Sequence, residues 1–224
     1  MFLKSFFWAT WAFLVRDFQF HSKNPERFLS IFLFGLALMI ASFFSFRAES
    51  LENFSQGVFW LSFCFITLLA FHRLLLLDEI TGFRPLFQFS PNSLSVLFLA
   101  KIISAWLQLM LLHSVLCLFV GAFFDAHFFH FFWPIFKLLA CINFGQTVVG
   151  VLVSEHTFSL KHSEFLFPIL FLPLTLPLFI CGIVLMENAL QTQGVFFSSA
   201  WWQLLFLYNV LFFGVGLAWN NFFG

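Results

Sequence analysis

Few residues of this 224-residue chain are equipped for chemistry, and most of those sit inside or beside long stretches of hydrocarbon. His113 lies within the uncharged run 102–124. Imidazole is the side chain that most often ligates haem iron or a metal. A membrane haem of the four-helix type needs two imidazoles facing each other from different helices, and no second histidine of this chain lies as deep. Lys137 lies six residues into the run 131–153. An ammonium there either snorkels outward along its own stem or pairs with an acid, with Asp125 and Glu187 the candidate partners. Pro168, Pro173 and Pro177 share one apolar segment. Each removes a backbone donor and crowds the carbonyl one turn earlier, so that helix is expected to be kinked or partly unwound, as in a moving gate or substrate path. The remaining chemistry is a charged island holding Asp78, Glu79, Gly82, Arg84, Pro91 and Lys101 between two apolar runs, a surface suited to docking.

Several reactions are excluded by what is missing. No glycine is followed by lysine, so no phosphate-binding P-loop exists. Neither G-x-S-x-G nor H-E-x-x-H occurs. Cys64, Cys117, Cys141 and Cys181 fall in four different apolar runs and form no C-x-x-C pair, so they read as small buried hydrophobes. His127 and His130 could share one helical face near a surface, but two ligands are too few for a metal. His72, His156 and His162 fall at span ends, where solvation is the default.

The elements that position these groups follow from composition. Only 9% of residues are charged and 62% are apolar, with a mean hydropathy of +0.99. A soluble domain carries about 25% charged residues, so the chain is an all-α, polytopic membrane protein. Ten basic and ten acidic residues cancel, which leaves no field to attract nucleic acid. Six runs are long enough to cross about 30 Å of hydrocarbon: 28–46, 54–71, 102–124, 131–153, 165–186 and 201–223. Residues 1–27 are aromatic but interrupted by charges, and suit an interfacial helix with Trp8 and Trp11 at headgroup depth. Trp201 and Trp202 mark the outer end of the last span. Placing the N-terminus inside puts Lys4, Arg16, Lys23, Arg27, Arg73, Arg84, Lys101 and Lys161 on the inner side, against Arg47 outside. Both termini and the island are then cytoplasmic. The whole chain, 1–224, reads as one transmembrane domain. Its 42 phenylalanines suggest a compositional bias in which single positions carry little information.

Two segments resemble a known family. The first is Leu69-Ala70-Phe71-His72-Arg73-Leu74, followed by Asp78, Gly82 and Pro91 and ending in Leu97-Phe98-Leu99-Ala100-Lys101. The second is Ile169-Leu170-Phe171-Leu172-Pro173-Leu174-Thr175-Leu176-Pro177-Leu178. Together they are similar to CcmB, the six-span permease subunit of the bacterial cytochrome c maturation system. The Arg…Asp…Gly…Pro…Lys pattern is shared with exporters of the ABC-2 class, and the Leu-Pro-Leu-Thr-Leu-Pro run narrows it. The chain departs from the pattern at His72, where the family usually has an acid, and at Pro85, where it has a glutamate.

The resemblance implies an ABC-2 type permease with a cytoplasmic coupling segment over 78–95. Two copies would pair with two copies of a CcmA-like ABC ATPase and associate with a CcmC-like haem-handling membrane subunit in the bacterial inner membrane. ATP would be used by the ATPase partner. This chain would be non-catalytic and bind no cofactor itself, with haem the transported or handled ligand. The family's role is framed either as haem export or as ATP-driven release of a haem-loaded chaperone. From the residues alone, a general ABC-2 exporter of lipid or drug and a cytochrome b-like redox subunit remain as alternatives.

Overall fold

The structure, a computed structural model, describes residues 25–45, 51–81, 94–123, 132–157, 163–191 and 200–222, together with Phe7, Trp8, Trp11, Ala12, Val15 and Gln19. The described residues are all helical. In chain order they form α1 (Pro25–Ser45), α2 (Leu51–Thr81), α3 (Leu94–Phe123), α4 (Phe132–Thr157), α5 (Ser163–Gln191) and α6 (Ala200–Phe222). Only helices satisfy every backbone polar group within one segment in hydrocarbon. Four helices carry apolar stretches long enough to cross a bilayer: Leu97–Ala122, Phe132–Thr157, Phe165–Ala189 and Ala200–Asn220. The apolar stretches described in α1 and α2, Leu29–Ala41 and Phe59–Arg73, are shorter. Near the N-terminus, Phe7, Trp8 and Trp11 are exposed helical positions. The rest of 1–24 lies outside the described residues.

Two helix boundaries bear on the site. Pro25 opens α1. Proline is well suited to a first helical turn, where its missing N–H has no partner to lose. More consequentially, α2 continues past the uncharged run 54–71, through His72, Arg73 and the four leucines, to Thr81. Leucines 74–77 are strong helix formers, and no glycine or proline interrupts before Gly82. The first part of the charged island is therefore a helical arm of α2, and Lys101 lies on α3.

α4 is the centre of the bundle. It packs against α5, α3 and α6, and every residue from Gly145 to Ser154 is buried. Its small side chains let neighbouring helices approach closely, the usual basis of helix association where lipid supplies no hydrophobic drive. α1 packs mainly on α2, where a Cβ at Gly35 would strike Ile66. Phe32 of α1 also meets Phe119 of α3 edge-on at 5.6 Å. α6 is the least enclosed span, with Phe206, Leu207, Val210 and Leu211 on its exposed side.

The proline-bearing helix is not unwound. α5 runs uninterrupted through Pro168, Pro173 and Pro177. A proline removes one N–H, and the intervening residues keep theirs. Side-chain hydroxyls add donors in the same turns: Thr175 Oγ1 donates to the Phe171 carbonyl at 2.9 Å, and the Tyr208 hydroxyl of α6 donates to the Leu174 carbonyl. Pro173 and Pro177 are on the exposed face of the helix, away from the bundle core.

Candidate functional site

The polar groups that the spans enclose converge at one level. On α4, Asn143, Gln146 and Thr147 stand three and four residues apart and so share a face. Thr67 of α2 and His113 of α3 meet that face, and all five side chains are completely buried. Asn143 Oδ1 lies 2.7 Å from His113 Nδ1, and Asn143 Nδ2 donates to Met110 Sδ at 3.3 Å. His113 Nε2 lies 3.4 Å from Thr67 Oγ1, which is itself 3.2 Å from Gln146 Oε1 and 2.9 Å from the Phe63 carbonyl. Thr147 donates to the Asn143 carbonyl within α4. Phe63 covers the imidazole face, with ring centroids 3.7 Å apart and 20° between planes.

These contacts assign the protons. The Asn143 amide nitrogen is committed to Met110, so its oxygen accepts from His113 and the imidazole carries its hydrogen on Nδ1. Gln146 Nε2 has no partner as drawn. Turning that amide over places a donor 3.2 Å from Thr67 Oγ1 and leaves the amide oxygen in the unpartnered position. The hydroxyl proton then goes to Phe63 or to the His113 lone pair. The result is a neutral, three-helix network with no ionised member, the affordable form of polarity in hydrocarbon.

Both imidazole nitrogens and one ring face of His113 are engaged. Nδ1 is hydrogen-bonded, Nε2 faces a hydroxyl, and a phenyl ring lies over the plane. No coordinating direction is open. Among the described residues, no three histidine, cysteine, aspartate or glutamate side chains gather as a metal site. Cys117 and Cys181 are buried thiols, and Cys64 and Cys141 are half-buried.

A second set of polar groups lies at the helix ends around the charged island. Arg73 of α2 donates to Ser30 Oγ of α1 at 2.6 Å. Asn220 of α6 donates to Glu155 Oε2 of α4 at 3.4 Å. Beside it, His156 packs on Trp219 with centroids 4.6 Å apart and bonds the Leu152 carbonyl at 2.7 Å. Of the island, Asp78 and Glu79 are backbone positions on the α2 arm, and Lys101 is a half-buried α3 residue. Gly82, Arg84 and Pro91 lie outside the described residues. Lys137 is exposed near the opposite end of the bundle, as are Glu187 and Asn188, whereas Asp125 is not described. His113 and Lys137 thus belong to different environments, one in the core and one on the surface.

Thr67, Asn143 and Gln146 were not singled out from the sequence. The available signal was an Asn-x-x-Gln-Thr spacing inside a span, which puts three polar side chains on one helical face where hydrocarbon is otherwise required.

A search of curated proteins finds no match. A family model described as CcmB protein matches residues 8–218, a stretch that takes in all of α1–α5 and most of α6. The chain belongs to the CcmB protein family, membrane components of the haem export and cytochrome c maturation system.

Proposed function

We propose that this chain is the non-catalytic permease subunit on which a separate cytoplasmic ABC ATPase acts, within the complex that exports haem or releases a haem-loaded chaperone for c-type cytochromes. The observation that carries this reading is the α2 arm. A single helix runs from Thr67 in the buried network to Thr81 in the charged island, about 20 Å at 1.5 Å per residue. It links a cytoplasmic docking surface to the membrane core without a flexible joint.

In this reading the 78–95 segment is where the ATPase binds, with Asp78, Glu79, Gly82, Arg84, Pro91 and Lys101 forming or bracketing the contact. Two copies of the chain assemble with two CcmA-like ATPase subunits and a CcmC-like haem-handling subunit in the inner membrane, with both termini cytoplasmic. ATP is consumed by the ATPase, and haem is the ligand the complex handles. Residues 1–224 act as one domain. Pro168, Pro173 and Pro177 give α5 a softened stretch that moves as a gate. Lys137 anchors α4 at the outer surface. The test is a pull-down of the ATPase by membranes carrying the full chain or a form lacking residues 78–88. Loss of capture is expected, and undiminished capture refutes the docking assignment.

A further inference from the structure

Two aromatic rings flank the charged island, each on one of the helices leading into it. Phe71 is on α2, ten residues before the end of its arm, and Phe98 is on α3, four residues after its start. Both are almost wholly buried, at 2% and 1% exposure. Each faces a glycine of a different helix. A Cβ at Gly150 of α4 would lie 2.4 Å from Phe71 Cζ, and one at Gly216 of α6 would lie 2.3 Å from Phe98 Cζ. The rings therefore rest against backbone, with no side chain between to absorb a displacement.

We propose that these two ring-in-notch contacts carry mechanical load from the ends of α2 and α3 into α4 and α6, Phe71 moving α4 and Phe98 moving α6. The inference rests on the docking assignment above and adds the route by which force leaves it. Packed interiors are close to incompressible and switch between discrete arrangements rather than deforming continuously. A ring seated on backbone must shift that backbone or leave its notch. Phe71 also packs against Phe167 and Phe171 of α5, with centroids 5.9 and 5.4 Å away. α4 holds Asn143 and Gln146 of the buried network, and α6 is the least enclosed span. The Phe71 contact addresses the core of the bundle and the Phe98 contact its freest helix, where Leu152 Cδ2 of α4 also comes within 3.3 Å of the Gly216 Cβ position.

The test is hydrogen exchange by mass spectrometry on the full chain in nanodiscs, with and without the ATPase and ATP. In the unsubstituted chain, loading is expected to change exchange in both 147–154 and 212–220. Phe98→Leu is expected to retain ATPase capture and the response at 147–154 but lose that at 212–220. Phe71→Leu should show the reverse. Gly216→Ala should behave as Phe98→Leu, and combining the two should restore the response, because the smaller side chain vacates the space that the methyl takes. Normal responses at both sites in both leucine variants would overturn the proposal, as would equal loss at both sites in each.

A second load separates this claim from the docking assignment. Streptavidin bound to a biotinylated Thr81→Cys places a bulky soluble body against the end of the α2 arm without any ATPase. If the ATPase fails to bind the unsubstituted chain, docking is refuted. The streptavidin response at 147–154, present in the unsubstituted chain and absent in Phe71→Leu, then still supports transmission. Its presence in both, or absence in both, refutes it.

Discussion

The contact between His113 and Asn143 offers the sharpest quantitative test of the buried network. Replacing Asn143 by leucine keeps the volume close to native but leaves the Nδ1 hydrogen of His113 without an acceptor in a site with no access to water. An unsatisfied buried donor costs about 1–3 kcal/mol. Hydrogen bonds between membrane helices average about 0.6 kcal/mol and reach about 1.7, because the separated helices also find partners. A 2.7 Å contact between two fully buried groups belongs at the upper end of that range. We therefore expect Asn143→Leu and His113→Leu each to destabilise the fold by about 1–3 kcal/mol. The double substitution should destabilise it by less than their sum, with a coupling of about 1–2 kcal/mol. The assay is reversible unfolding of the purified chain in bicelles by titration with sodium dodecyl sulfate. A coupling below about 0.5 kcal/mol, the lower limit for residues in contact, would refute the network as drawn.

Two further expectations follow from the same geometry. Gly145→Ala places a Cβ 2.2 Å from Asn209 Oδ1 and 2.9 Å from Leu178 Cδ1, and is expected to cost about 1–3 kcal/mol by overpacking; adding Asn209→Ala should recover most of it, as measured in the same titration. The purified chain, supplied with haem, should show no stoichiometric Soret band that depends on His113. A band abolished by His113→Ala would overturn the proton assignment and favour a redox role.

The membrane class, the helical fold and the approximate positions of the six helices were legible in the sequence because they depend on local quantities. Apolar runs near 20 residues long and a 9% charge content leave few alternatives. The depth of His113 was legible for the same reason. Its partners were not: Thr67, Asn143 and Gln146 are separated from it by up to 46 residues, and only bundle topology sets which of their faces meet. Lys137 was visible as a charge in a span, yet its exposed position depends on which side of α4 the other helices cover.

The tertiary structure also decided what the phenylalanines mean. Composition suggested that single positions carry little information, and for the exposed ones nothing contradicts this. Phe63, Phe71 and Phe98 are different, because each meets a defined group on another helix: an imidazole or the backbone of a glycine. A glycine notch becomes a recognition feature only when packing brings a ring to it. Likewise the prolines of α5 announced a missing donor at each site, but the helix runs on through all three. Solvent preference, which acts residue by residue, was written in the sequence. Which buried polar groups and rings confront one another is a property of how the helices pack.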